Sequence, residues 1–158
     1  MSKTKKILLF LAGAFLFWFA YFTISPLFIV LKMEEPVPTP LVARPASSLP
    51  DEPKTIASGE VVGTPLHPSS GRILIIEAGD KKFVRYENYK TVNGPDIFVY
   101  LANDLDAEDY VSLGKVKATE GSANYEIPEG VDPAGYRYVL TWCRAFGVLF
   151  NSAEMKAL

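Results

Sequence analysis

The chain has 158 residues, with 16 basic and 18 acidic side chains, one histidine and one cysteine. Its slightly negative charge and its lack of clustered lysine and arginine argue against nucleic acid as a partner. One cysteine cannot supply the four thiolates of an iron–sulfur cluster, and one histidine cannot build a two-histidine copper centre. We therefore expect no metal site and no intrinsic cofactor, so that a redox cofactor would be bound noncovalently or supplied by a partner.

Residues 7–31 form an uncharged run of 25 residues, which predicts one helix that crosses a membrane. A cleaved signal peptide has a shorter apolar region of about 7–15 residues, so we expect a retained signal anchor. Three lysines precede the run, whereas a single lysine, Lys32, follows it, and two glutamates come soon after Lys32. The positive-inside rule then predicts a single-pass protein of the cell membrane, with residues 1–32 as its cytoplasmic tip and transmembrane anchor and everything after them extracytoplasmic.

Residues 33–55 contain six prolines, a composition that blocks helices and favours extended chain. We interpret this segment as a linker, which at ~3.1 Å per residue could hold a domain up to ~70 Å from the bilayer. Residues 56–158 are enough for one compact domain.

Short runs rich in valine, isoleucine, tyrosine and phenylalanine, separated by turn residues, predict that this domain is all-β. We expect about seven or eight strands packed as an antiparallel β-sandwich or a partly open barrel. Asn93-Gly94 predicts a turn with positive φ. The acidic run in residues 104–109 predicts a solvated turn rather than a calcium site, because the glycine and the terminal glutamate of an EF-hand loop are missing. A short helical turn over residues 105–110 stays open.

The sole cysteine, Cys143, lies in residues 139–150, which read VLTWCRAFGVLF. Strand alternation puts Trp142 on one face with Tyr138 and Leu140, and we predict that this stripe is core. Cys143 falls on the other face. An unpaired thiol in an exported protein is at risk of oxidation, which makes it a candidate redox thiol, whereas a cysteine that only packs needs no partner.

Two residues are candidate partners of this thiol. Arg144 could promote thiolate formation, but adjacent strand residues point to opposite faces, so its influence is expected to be weak. His67 lies between two prolines in a constrained loop, and it could form a catalytic dyad with Cys143 only if the fold brings them together. Whether the protein is an enzyme stays open, and the sequence favours a module that is not a stand-alone enzyme.

Four blocks of the sequence, in order and with consistent spacing, resemble the electron-transfer DM-thirteen domain family: SGEVVGTPLHPSSGRILII, NGPDIFVYL, LGKVKATEGSANYEIPEG and YRYVLTWCRAFGVLFNSA. The resemblance covers residues 58–153. It implies a small extracellular β-domain with a role in electron transfer, often carried beside other membrane redox modules. It also implies that Cys143, in the tryptophan-cysteine pair, is the redox position, and it makes His67 and Trp142 candidate cofactor-binding residues.

Two functions therefore follow from the sequence. The first is a membrane-anchored extracytoplasmic domain with a redox or electron-transfer-associated role centred on Cys143, working with a redox protein partner. The alternative is a non-catalytic binding or structural ectodomain in which the cysteine is a core residue.

Overall fold

The computed structural model describes residues 2–39 and 52–158. The chain begins with α1 (Lys3–Ile24), which a 3₁₀ turn (Ser25–Phe28) continues. An 18-residue window within these 26 residues has a mean hydropathy of 2.2, and none of the residues of α1 is buried against the rest of the described protein. The helix is thus long and apolar enough to cross a membrane.

Eleven strands follow in the described part of the chain, and they form two sheets that do not close into a barrel. The strands are β1 (Lys32–Glu34), β2 (Lys54–Glu60), β3 (Val62–Gly63), β4 (Ser70–Ala78), β5 (Lys81–Lys90), β6 (Ile97–Ala102), β7 (Tyr110–Lys115), β8 (Glu120–Glu126), β9 (Tyr138–Cys143), β10 (Val148–Glu154) and β11 (Lys156–Ala157). A second 3₁₀ turn (Pro133–Gly135) precedes β9. The predicted β-sandwich is confirmed. The strand number exceeds the prediction because β1, β3 and β11 have only two or three residues each.

The six-stranded sheet has the order β1-β8-β5-β4-β2-β11, and the five-stranded sheet has the order β3-β10-β9-β6-β7. The pairings of these strands are antiparallel except that of β1 with β8, which is parallel. The main core lies between the two sheets and is built mainly from valine, isoleucine and tyrosine side chains of both. Burying this apolar surface is the principal force that holds the sandwich together.

The face assignment predicted for β9 is corrected by the structure. Cys143 and Val139 point into the main core, whereas Leu140 lies in a smaller cluster on the outer face of the five-stranded sheet, with Trp142 and Tyr138 packed half-buried against it. Both faces of β9 are apolar because this strand is central in its sheet. One of its faces packs in the main core and the other in the smaller outer cluster. Alternation alone could not tell the inner face from the outer one.

The proline-rich segment does not separate the helix from the sheet. Only residues 29–31 lie between the 3₁₀ turn and β1, and β1 pairs with β8. Arg85, which is 6% exposed, donates hydrogen bonds to the carbonyl oxygens of Glu35 (3.0 Å) and Pro36 (3.1 Å). The start of the predicted 33–55 linker is therefore an edge strand of the domain, and residues 40–51 of that linker lie outside the described residues.

Gly94 differs from its prediction as well. Its φ is not positive, and the reason for a glycine here is space, because a Cβ atom would stand 2.8 Å from Cζ of Phe150. Pro95 and Asp96 form the turn that enters β6.

The acidic run of residues 104–109 forms a bent loop without a helix. The carboxylate of Asp104 accepts hydrogen bonds from the backbone N–H groups of Asp106 (3.0 Å), Glu108 (3.0 Å) and Asp109 (3.1 Å). These bonds, the one from Glu108 first, hold the pKa of Asp104 below its ordinary value. Asp104 therefore organises the loop through its own backbone, as expected of a solvated turn.

Candidate functional site

Cys143 is the last residue of β9, and it pairs with the first residues of β6 (Ile97) and β10 (Val148). We call this end of the sandwich the Cys143 end. It consists of the connecting segments 29–31, 64–69, 91–96, 116–119 and 144–147. The strand pairings show that the strands flanking these segments all begin or end at this end of the sandwich. The start of β1 therefore lies at the same end as Cys143.

The side chain of Cys143 is closed off from solvent. Cys143 is 0% exposed, is a free thiol and belongs to the main core. The four residues that follow it, 144–147, are all exposed and make the turn into β10. Gly147 in this turn has a φ of 61°, a left-handed conformation that favours glycine. A fully buried thiol thus sits directly beside an exposed hairpin turn.

His67 lies at the same end, in the loop that follows β3. Its Nδ1 is 2.8 Å from Oγ1 of Thr64, and its ring stacks on Phe150 with 3.8 Å between ring centres. Burial lowers the pKa of His67, which favours the neutral ring. The space that Gly94 leaves open is filled by the same Phe150 ring. His67 therefore serves to close the loop over Phe150, and its hydrogen bonds do not involve Cys143.

Trp142 and Arg144 turn away from the sulfur. Trp142 packs on the outer face of the five-stranded sheet. The guanidinium of Arg144 stacks 3.7 Å from the ring centre of Phe98 and donates a hydrogen bond to the hydroxyl of Tyr100 at 2.8 Å. This bond is the main reason why the pKa of Arg144 is raised. The fold thus brings the predicted site residues Cys143 and His67 to the same end of the sandwich. The side chain of Trp142, the third of them, lies on the outer face of the five-stranded sheet, whereas Cys143 lies on the inner face.

A buried polar network inside the sandwich was not predicted from the sequence. Thr141, one residue from Trp142 and on the inner face, lies 3.1 Å from the hydroxyl of Tyr89 and 3.3 Å from that of Tyr86. Asn151 on β10 donates from Nδ2 to the hydroxyl of Tyr89 at 2.9 Å and to Oγ of Ser69 at 3.1 Å. The network runs from the core to the loop that carries His67, since Ser69 also donates to the carbonyl oxygen of His67 at 3.0 Å.

One atom of this network has no partner among the described residues. Oδ1 of Asn151 is fully buried and accepts no hydrogen bond from them. Leaving such a group unpaired costs about 1–3 kcal/mol. The sequence holds a signal for this network, because Thr141 and Asn151 are polar residues in the largely apolar stretches VLTWC (139–143) and VLFNSA (148–153). Only the fold shows that both face the hydroxyl of Tyr89.

Three tyrosines make up the aromatic part of the network. The rings of Tyr86 and Tyr89 meet edge to face with 4.6 Å between centres, and Tyr86 meets Tyr125 in the same way at 5.4 Å. Burial raises the pKa of all three phenols. Each phenol therefore stays protonated in the folded protein well into the alkaline range.

The described residues hold no candidate metal site, and the cleft that they form lies at the end of the sandwich opposite to Cys143. Among residues 2–39 and 52–158, no three histidine, cysteine, aspartate or glutamate side chains are grouped so that they could hold a metal ion. A cleft of about 540 Å³ lies at the opposite end of the sandwich, lined by residues 80–82 and 126–132.

Comparison with known proteins identifies the family. The model of the family described as Electron transfer DM13 matches residues 62–155, which is more than half of the chain. The chain belongs to the electron transfer DM13 family. This match confirms the resemblance that the sequence blocks indicated, and the DM13 region contains both His67 and Cys143 as well as the buried tyrosine network. No curated protein and no solved structure matches the chain.

Proposed function

We propose that the protein is a membrane-anchored, extracytoplasmic DM13 domain that takes part in electron transfer and uses Cys143 as its redox position. The observation that carries this proposal is the family match, which spans the only cysteine of the chain. The apolar helix α1 supports the anchoring part. The domain acts together with a redox protein partner, which supplies any cofactor, rather than as a stand-alone enzyme.

A buried sulfur can take part in such exchange if the structure opens locally. Cys143 ends its strand, and residues 144–147 beside it are exposed. Hairpin ends with few buried contacts open at a lower free energy than the whole domain does. Opening of this turn would expose the sulfur while both sheets stay intact.

The redox step is thiol–disulfide exchange with a disulfide on the partner. The thiol of Cys143 loses its proton, and its sulfur attacks one sulfur of the disulfide. The disulfide bond breaks, a mixed disulfide forms, and the second partner sulfur leaves as a thiolate that takes up a proton. Because the chain has no second cysteine, two electrons pass on only if a thiol of a second redox partner attacks the Cys143 sulfur and releases the first partner with both of its cysteines reduced. Another thiol of the second partner then attacks its own sulfur in the new mixed disulfide, which frees the Cys143 thiol and leaves the second partner as a disulfide.

One observation favours the alternative, a binding or structural ectodomain. Cys143 is completely buried in the main core, as expected of a cysteine that only packs. The two functions differ in whether the sulfur reacts through local opening or only through global unfolding.

Glycine variants separate these two routes. Gly147→Ala should strain the turn beside Cys143 by about 1 kcal/mol and speed the reaction of the native protein with a small disulfide roughly fivefold. Gly130→Ala is the matched control, because Gly130 also has a positive φ (81°) and open space around it but lies in a loop at the opposite end. Mass spectrometry of the mixed disulfide gives the rate.

The redox proposal fails if the two glycine variants accelerate the reaction equally and in proportion to their loss of global stability. Cys143 would then react only from the unfolded state, and the core-cysteine alternative would stand.

The orientation in the membrane is tested separately. With one epitope before residue 3 and another after residue 158, protease added to intact cells or spheroplasts should remove the C-terminal epitope and spare the N-terminal one. Loss of both epitopes only after lysis would contradict the extracytoplasmic placement.

A further inference from the structure

Two turns of the Cys143 end carry large apolar side chains at their tips. Leu66, in the turn after β3, is 84% exposed, and Phe146, in the turn between β9 and β10, is 48% exposed. Val148, which directly follows the second turn, is 40% exposed. Because β3 ends and β10 begins at this end and the two strands are neighbours, both turns lie at the same end of the sandwich. Turn tips usually carry glycine or small polar residues, so an apolar surface here requires an explanation.

The helix α1 leads the chain to this same end. Residues 29–31 connect it to β1, and they are fastened to the domain by hydrogen bonds. The side-chain amide of Asn93 donates to the carbonyl oxygen of Ile29 at 2.9 Å, and the backbone N–H of Leu31 donates to Oγ1 of Thr119 at 2.9 Å. A helix that spans a membrane would therefore hold the Cys143 end next to the bilayer, with no free spacer between them.

Charge favours the same orientation. The segments at the opposite end of the sandwich carry one basic residue, Arg137, and seven acidic residues, namely Asp80, Asp104, Asp106, Glu108, Asp109, Glu129 and Asp132. The turns of the Cys143 end carry one acidic residue, Asp96, which pairs with Lys115 at 3.1 Å. Their two basic residues are Lys117, which pairs with Glu35 at 3.3 Å, and Arg144, whose guanidinium stacks on Phe98. A surface with anionic lipids would attract the Cys143 end more strongly than the acidic end.

We propose that the Cys143 end docks on the outer surface of the bilayer, with Leu66 and Phe146 inserted into the interface between headgroups and acyl chains. The proposal rests on the membrane anchoring by α1 proposed above. Insertion removes both apolar side chains from water and gives the domain one fixed orientation. It also places the turn beside Cys143 in contact with lipid.

Photocrosslinking of the full chain in lipid vesicles tests this docking. The vesicles contain a phospholipid with a carbene precursor at the glycerol level, and mass spectrometry locates the lipid adducts. We expect adducts on α1 and on the segments 64–69 and 144–148, and none on residues 104–108 at the opposite end. The double variant Leu66→Ser/Phe146→Ser should lose the adducts on both turns and keep those on α1. The matched control Leu105→Ser, which changes an exposed leucine at the opposite end, should keep all of them.

The ways in which this experiment can fail are distinguishable. Adducts on α1 without any on the two turns would overturn the docking and leave the anchor in place. Equal adducts at both ends of the sandwich would also overturn it. A chain that neither floats with the vesicles nor forms adducts on α1 would overturn the anchor and the docking together.

Discussion

Replacing Gly121 by alanine should detach β1 from the six-stranded sheet and lower the free energy of unfolding by about 2–5 kcal/mol. Gly121 has a φ of 112°, which a side chain strains, and it pairs with Met33 of β1. A Cβ atom here would collide with the carbonyl oxygen of Met33 and would stand 2.7 Å from Oε1 of Glu34. The collision involves backbone, which cannot move away without breaking the β1–β8 pairing.

Two other glycines separate the causes of this effect. Gly114 has a φ of 108°, and a Cβ atom there would meet no described atom within 4 Å, so Gly114→Ala should cost only the backbone strain, about 1–3 kcal/mol. Gly135 has neither a positive φ nor a close neighbour among the described residues, and Gly135→Ala should change stability by less than about 0.5 kcal/mol. Denaturant unfolding of the detergent-solubilised chain measures these differences.

Hydrogen exchange adds a local readout for Gly121→Ala. The backbone N–H groups of Glu35, Thr119 and Glu120 donate hydrogen bonds across the junction between residues 31–35 and β8. Their protection should fall in this variant far more than that of β4 and β5. Unchanged protection there, or equal costs for the Gly114 and Gly121 variants, would show that β1 is not fixed to the sheet.

The second large effect is a loss of stability at alkaline pH. Burial raises the pKa of Tyr86, Tyr89 and Tyr125 above the ordinary value of 10.0. Above that pH the unfolded chain loses these phenolic protons while the folded protein retains them, so the unfolded state binds fewer protons. The stability conferred by the neutral phenols is fully present below pH about 10 and is lost as pH rises further. The expected slope is about 1.4 kcal/mol per pH unit for each tyrosine, or about 4 for all three.

Denaturant unfolding at a series of alkaline pH values measures this slope, and phenolate absorbance follows the ionisation directly. Tyr86→Phe is the informative variant, because the hydroxyl of Tyr86 has a single partner among the described residues, Thr141, at 3.3 Å. It should remove about one third of the slope. The chain has eight tyrosines, and ionisation of all eight near the ordinary pH, without unfolding, would contradict the buried network.

Much of the fold follows from local patterns. The apolar run of α1 and the strand patterns of β4, β5, β6 and β9 are strong enough to be read directly from the sequence. The short strands β1, β3 and β11 have two or three residues, too few for any periodicity, and they exist because a longer neighbour offers an unpaired edge. Long-range pairing of this kind carries no local signal, and for that reason the sequence predicts a linker where the 33–55 segment in fact begins as a strand.

The sequence identifies the candidate residues but not their arrangement in space. The single cysteine identifies Cys143, and the family blocks identify His67, but neither shows that both lie at the end to which α1 leads. That placement depends on where β1 enters the sheet. The buried network of Thr141, Asn151 and the tyrosines likewise depends on which face of β9 turns inward, and both faces of that strand are apolar.

The most direct test of the redox role is the rate at which Cys143 is alkylated in the folded full chain as denaturant is added. If the sulfur is reached by opening of the turn at residues 144–147, the rate at low denaturant should be nearly independent of denaturant and should exceed the rate allowed by global unfolding. It should join the global unfolding curve only at higher denaturant. A rate that follows global unfolding over the whole range, with the full denaturant dependence of unfolding, would show that Cys143 is a packing residue and would contradict the proposed function.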